Sequence, residues 1–316
     1  MEATYLVFVA VVPIFLLIGC GTLARLFGWL DTNADLSLMK LVVNLLYPAL
    51  IFSNILGNDV LRNKTNLIMP PLLGLGTVVL GFTIAWMVAN KIKAESESDR
   101  QTFIFITGIQ NSVYFALPII ELLFDKETIG ILLVYNLGVE IALWLLGVGF
   151  ILSPKNSKSL LGRIISAPVI AVLLATGMNY FRFDQELPDF VFKATRLLGQ
   201  CAIPLGLILI GAIFADLKPS IKLFTQIRIP LSAAVVRLFV MPAILIISAF
   251  LLPLSTELER VIVIQAAMPC AVFPIVLTQH YGGSPNIAFK IVLSTTLLSF
   301  LTIPIWIRAG IDLLGL

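Results

Sequence analysis

The sequence predicts an all-α integral membrane protein of ten transmembrane helices, arranged as two inverted five-helix repeats with the fourth and ninth helices broken at prolines. Three observations predict it. Hydrophobic residues fill 59% of the 316 positions and charged residues only 12%, against roughly 45–50% and about 25% in an ordinary soluble domain. The excess apolar surface must face lipid. Apolar runs of about 20 residues recur along the chain, each long enough to cross a hydrocarbon core of ~30 Å as a helix. The runs are continuous rather than alternating, and in lipid the backbone must satisfy its own hydrogen bonds, which excludes barrel strands. The third observation is a spacing of amides and prolines shared by the two halves of the chain.

Cutting wherever charges, Pro, Gly and Asn cluster gives the spans Tyr5–Leu26, Leu36–Leu56, Leu67–Asn90, Gln101–Phe124, Thr128–Leu152, Ile164–Phe181, Phe190–Phe214, Ile229–Leu252, Glu259–His280 and Ile287–Ile307. The first is a helix rather than a signal peptide, because Glu2 and no basic residue precede it and further spans follow. Connections are short, the longest polar stretches being Lys91–Arg100 and Ser153–Arg163. No soluble catalytic or nucleotide-binding domain fits between them. One membrane domain, 1–316, therefore divides into a first repeat at 1–152, a cytoplasmic linker at 153–163 and a second repeat at 164–316.

Loops after the odd-numbered spans hold ten Lys and Arg, among them Lys91, Lys93, Lys155, Lys158, Lys218 and Lys222, against six on the other side, among them Arg62, Arg182 and Arg260. Because cytoplasmic loops carry the basic excess, both termini are expected outside the cytoplasm. Cys20, Cys201 and Cys270 all lie in apolar runs, an arrangement that offers neither a disulfide framework nor a metal-ligand spacing. No cofactor is implied. The formal charge of +3 is modest and the basic residues sit in short loops, so no nucleic-acid partner is implied either.

An odd number of spans per half turns the second half upside down in the membrane. In spans two and seven, Asn44 precedes Pro48 by four residues as Gln200 precedes Pro204. In spans four and nine, Gln110, Asn111 and Ser112 lead to Pro118, and Gln265 leads to Pro269 and Pro274. Proline lacks an N–H and clashes with the carbonyl four residues earlier. Pro118 thus frees the carbonyl of Tyr114, Pro269 that of Gln265 and Pro274 that of Cys270. If both helices break near the midplane, their half-helix N-termini bring about half a positive charge each to one spot, which suits an anion. The freed carbonyls, the amides of Gln110, Asn111 and Gln265, and the Ser112 hydroxyl can bind a carboxylate or ligate a coupling cation.

The segments Thr107–Pro118 and Ala267–Gly282, the latter followed by Leu293–Trp306, resemble the fourth, ninth and tenth helices of the auxin efflux carrier family, over nearly the whole chain. The resemblance implies ten helices in inverted repeats and a secondary transporter, most simply an exporter of a small organic anion. It also implies a scaffold of spans one, two, six and seven, through which two copies could pair, a moving part from the rest, and a midplane site where the broken helices cross. Asn111, Pro118 and Pro269 stand at the family's polar fourth-helix, crossover-proline and ninth-helix-proline positions. Two departures make the pocket more apolar and tighter. Phe273 replaces the family's common asparagine, with Pro274 behind it, and Val113 and Tyr114 stand where smaller residues are usual.

Glu140 lies near the centre of span five and Arg237 about a third of the way into span eight, each costing on the order of 2.5–3.5 kcal/mol at a helix centre unless paired or wet. Glu140 can carry a coupling proton and Arg237 a substrate carboxylate; alternatively the two pair with each other, or Arg237 snorkels to the headgroups. Ser294, Thr295, Thr296 and Ser299 read as helix-packing hydroxyls or, as the repeat partner of span five, an ion site. His280, the single histidine, reads as interfacial. A membrane enzyme is disfavoured, since the chain has no second histidine, intramembrane Asp pair, Gly-x-Ser-x-Gly elbow or phosphate loop. The competing transporter reading is a sodium-coupled organic-anion importer resembling the bile acid symporter group. The expected partners are a small organic anion, the bilayer, and H+ or Na+ as the coupling ion.

Overall fold

The computed structural model describes residues 2–92, 94–152, 165–216 and 226–316. Its helices are α1 (Glu2–Leu26), α2 (Thr32–Ile55), α3 (Lys64–Ala89), α4 (Glu97–Gly108), α5 (Ala116–Leu123), α6 (Lys126–Leu152), α7 (Ala167–Tyr180), α8 (Asp189–Asp216), α9 (Arg228–Leu251), α10 (Thr256–Ala267), α11 (Phe273–Tyr281) and α12 (Pro285–Leu314). Among the described residues no strand forms. Seven helices, α1, α2, α3, α6, α8, α9 and α12, are long and apolar enough to cross a membrane. The expected spans Gln101–Phe124 and Glu259–His280 each fall on two short helices, and α7 is apolar but only 14 residues long. The expected linker at 153–163, and with it Lys93, Lys155, Lys158, Arg163, Lys218 and Lys222 of the loop count, lies outside the described residues.

Polar side chains at chain turns start several of these helices. Asp31, Asn63, Ser96 and Asp125 each accept a bond from a backbone N–H of the first turn, which removes one of the four orphan donors at a helix N-terminus. Proline sets where the long helices deform. In α2 a π turn at Val42–Leu46 comes just before Pro48, and in α9 a π turn at Val236–Val240 comes just before Pro242. Such a widened turn makes room for the ring and for the carbonyl that has lost its donor. α8 pauses at Cys201, shortly before Pro204.

Two glycine seams bring helix backbones into contact. Between α1 and α8, a Cβ added to Gly21 would lie 2.0 Å from the Ile208 carbonyl oxygen, and one added to Gly211 would lie 2.0 Å from that of Ile18. The Thr22 hydroxyl donates across this seam to the Gly211 carbonyl at 2.9 Å. Between α3 and α6, a Cβ on Gly138 would come within 1.8 Å of the Pro71 oxygen. Among helices in lipid there is no hydrophobic drive to associate, so close approach of this kind supplies the packing energy. α2 lies against α7 and α8, while α12 lies against α4, α9 and α10. α1, α2, α7 and α8 thus pack chiefly on one another, as do α3, α4, α6, α9, α10 and α12, while α1 also touches α5 and α12 and α6 touches α2 and α7.

Leu72, Leu173, Leu231, Ile247, Leu301 and Ile305 are each more than half exposed, on several different helices. A soluble protein does not spread that much apolar surface around its girth; an integral membrane protein does. Polar groups gather instead at the helix ends. Asn179, fully buried at the end of α7, accepts from the Gly57 N–H at 2.9 Å and donates to the Asn58 carbonyl at 2.8 Å, and Lys126 Nζ donates to the Leu56 carbonyl at 3.1 Å.

Replacing Gly138 by alanine should push α3 from α6 and cost about 1–3 kcal/mol through overpacking. Gly76→Ala, where an added Cβ meets nothing within 4 Å, serves as the control. Thermal unfolding of the purified variants should show a lower midpoint for Gly138→Ala alone; equal midpoints would refute the seam.

Candidate functional site

α4 ends at Gly108 and α5 begins at Ala116, while α10 ends at Ala267 and α11 begins at Phe273. The two intervening segments run antiparallel past each other. The Asn111 N–H donates to the Pro269 carbonyl at 2.8 Å and the Ala271 N–H donates to the Ile109 carbonyl at 3.0 Å, with Gln110 opposite Cys270. Pro118 and Pro274 both fall in the first turn of the helix that follows the break. A missing N–H there costs nothing, because first-turn donors have no intrahelical partner. The chain therefore breaks upstream of each of these prolines rather than at it. Pro269 lies inside the second break, and its own carbonyl becomes an acceptor.

Arg237 serves the end of α10. It is fully buried on the π turn of α9, donates from Nε to the Met268 carbonyl at 3.0 Å and from Nη2 to the Gln265 carbonyl at 3.3 Å. The Gln265 oxygen is the one that Pro269 deprives of a helical donor. A cation at a helix C-terminus also faces the negative end of the helix dipole. Among the described residues Arg237 forms no ion pair with Glu140, and it does not line the cavity described next.

Beside the paired breaks is a cavity of about 240 Å³. Its wall is built from α2, α6, α7, α8, the first break and the start of α11, and most of it is apolar. The polar contributions come from Gln110, Asn111, Ser112, Asn136, Glu140 and Ser166, with Tyr47, Tyr114 and Trp144 beside them. Asn111 is 3% exposed and its Nδ2 has no partner. Asn136 Nδ2 donates to the Ser112 carbonyl at 3.3 Å and its Oδ1 has no partner; Gln110 Nε2 donates to the Tyr135 hydroxyl at 3.3 Å and its Oε1 has none. Gln265 Nε2 donates to the same Ser112 carbonyl at 2.9 Å from behind the wall. Each unpaired buried group costs about 1–3 kcal/mol, and at a cavity wall a ligand is the natural partner.

Glu140 is the only charged residue among the described lining residues. The Trp144 side chain hydrogen-bonds its carboxyl, and the Tyr47 and Tyr114 hydroxyls are near enough to feel its charge. Tyr114 fits because α8 yields to it: a Cβ on Gly206 would lie 2.0 Å from the Tyr114 ring.

Of the residues singled out in the sequence, Gln110, Asn111, Ser112, Pro274 and Glu140 line the cavity, while Pro118, Gln265, Pro269 and Arg237 shape or support the breaks. Ser294, Thr295 and Ser299 bond to carbonyls of their own helix, and His280 is exposed at the end of α11. Among the described residues no three His, Cys, Asp or Glu side chains cluster as metal ligands. Sequence reading missed Asn136, Tyr47 and Trp144 as wall residues. A signal was there, since Asn136, Glu140 and Trp144 recur every fourth residue and so share one face of α6.

A family model described as membrane transport protein matches residues 6–162 and 154–307. A protein of Methanothermobacter thermautotrophicus described as an uncharacterized transporter is 22% identical over 300 residues, covering 94% of this chain and 96% of that protein.

Arg237→Met should destabilise the empty protein, since each hydrogen bond to a charged donor contributes about 1.5–3 kcal/mol. The thermal midpoint without any ligand should fall clearly. An unchanged midpoint would mean that Arg237 does not hold the end of α10.

Proposed function

The chain belongs to the membrane transport protein family, the auxin-efflux-carrier type that its helix segments resemble, and from that premise we propose a secondary transporter that moves a small carboxylate-bearing organic solute by alternating access. One observation carries this reading: a largely apolar cavity lies against two interrupted helices, with the amide of Asn111, whose buried Nδ2 has no partner, in its wall. The N-termini of α5 and α11 add the positive ends of two helix dipoles beside the same breaks. A cavity of about 240 Å³ lies below the ~300–1,000 Å³ of drug-sized sites, so the solute is metabolite-sized.

The ten-helix inverted plan is part of the proposal. It is supported by the likeness of the interrupted pairs, 12 and 8 residues in α4 and α5 against 12 and 9 in α10 and α11. A deformed turn before Pro48 in α2 and one before Pro204 in α8 add to it. Each interrupted pair counts as one crossing, and α7 as another, beside the seven long helices. On this plan α1, α2, α7 and α8 form the static group, the others carry the breaks past it, and both termini lie outside the cytoplasm.

Asn111→Ala provides the test. The substitution keeps the backbone bond to Pro269 and removes an amide nitrogen that has no partner among the described residues, so the unfolding midpoint should hardly move. Binding of a transported carboxylate should weaken, by about 1.5–3 kcal/mol for a bond to a charged group, or roughly ten- to hundredfold in Kd. Flux of labelled small carboxylates into proteoliposomes should fall in parallel. Unchanged affinity for a transported solute would remove Asn111 from the site.

A further inference from the structure

The charge on the cavity wall is of the wrong sign for a simple anion. Glu140 projects from α6 into a space where, among the described lining residues, no Lys, Arg or His answers it, and its polar neighbours are Trp144, Tyr47 and Tyr114. A carboxylate inside a membrane span without a cation partner stays charged only against a substantial desolvation cost. The missing partner is one that a solute can bring. A carboxylate flanked by aromatic side chains is also the surrounding in which an ammonium group gains both ionic and cation–π attraction.

Another part of the cavity wall has the opposite character. There Asn111 Nδ2 is a buried donor without an acceptor, next to the start of α11. The two parts are near each other in space. Asn136 touches the Ser112 carbonyl at 3.3 Å, and Glu140 follows Asn136 by one helical turn, about 5–6 Å between Cβ atoms. A donor for a carboxylate and an acceptor for an ammonium are therefore separated by about the reach of two side chains closing on one headgroup. Between and around them the wall is apolar, with Val43, Leu137, Val172, Leu209 and Ile213 among its residues.

We propose that the cavity takes a small zwitterion, an amine-bearing carboxylate with an apolar remainder, its ammonium against Glu140 and its carboxylate against Asn111. This rests on reading the cavity as the transport site and specifies its substrate class. The apolar remainder fills the aliphatic part of the wall, in the way that hydrophobic pockets with a few placed polar groups select their ligands. Phe273, on the same wall, adds to that apolar part where an amide would have favoured a more polar solute.

The experiment compares matched sets of probes on the purified full-length chain: valine, leucine and phenylalanine, each beside its deaminated acid (3-methylbutanoate, 4-methylpentanoate, 3-phenylpropanoate) and its decarboxylated amine. A ligand that binds the folded state raises the unfolding temperature by mass action. At least one zwitterion should bind roughly ten- to hundredfold more tightly than both of its partners, because each partner lacks one charge-assisted contact. In Glu140→Gln, which keeps the side-chain shape, the preference for zwitterion over acid should collapse. Acids that bind as well as the matched zwitterions, or no binding by any member of the three sets, overturn the proposal; wild-type protein alone decides this. Failure of the underlying transport reading has a separate signature, in which a zwitterion binds with the expected preference but labelled zwitterion shows no protein-dependent flux into proteoliposomes.

Discussion

Two backbone hydrogen bonds, from Asn111 to Pro269 and from Ala271 to Ile109, hold together the part of the structure on which the site depends. An interrupted helix in an apolar interior leaves N–H and C=O groups without partners, each costing several kcal/mol when water cannot reach them. Here one interruption satisfies the other. Neither break is stable alone, so the two must lie side by side, and the cavity beside them follows from that necessity. Arg237 completes the arrangement by supplying donors to the Gln265 and Met268 carbonyls at the end of α10, so the cation acts on the protein's own backbone.

The glycine seams explain why the remaining helices can be so uniformly apolar and still pack in register. With lipid outside and leucine inside, hydrophobicity does not tell a helix which neighbour to choose. Shape does: Gly21 and Gly211 admit α1 to α8, and Gly138 admits α3 to α6, at backbone contact. Tyr114 in the notch at Gly206 is the same device applied between the first break and α8. It places a large ring where a neighbouring helix has no side chain, and that ring then forms part of the cavity wall.

The helical class and the region of each break were legible because proline chemistry and apolar run length act locally. The exact placement was less so. Pro118 and Pro274 mark the starts of half-helices because a first turn tolerates proline, and only the last helix-closing donors, the N–H groups of Ile109 and Met268, say where the chain leaves the helix. Hydropathy locates Arg237 inside a span but carries no information about which carbonyls it meets, since these belong to another helix. Asn136 was overlooked for a different reason: one amide in an apolar run looks incidental until its spacing to Glu140 and Trp144 is counted. The fit of Tyr114 to Gly206 joins residues from opposite halves of the chain, and no local pattern reveals it.

The Ser112 carbonyl constrains how such a site can move. It accepts from Asn136 of α6 at 3.3 Å and from Gln265 of α10 at 2.9 Å, using the two lone pairs that a carbonyl oxygen offers. Displacing the first break relative to either helix would strand a buried amide, so α6, α10 and both breaks are bound to travel as one body. On the other side of the cavity the α2, α7 and α8 wall meets that body through apolar side chains, through Tyr47 beside Glu140, through the Tyr114 ring at Gly206 and, at the helix ends, through the Lys126 bond to the Leu56 carbonyl. Sliding an aromatic ring along a helix groove exchanges one set of dispersion contacts for another, whereas separating the amides from Ser112 exchanges hydrogen bonds for none. The Asn136 and Gln265 bonds to Ser112 thus hold the first break to α6 and α10 more firmly than the packing across the cavity holds it to α2, α7 and α8.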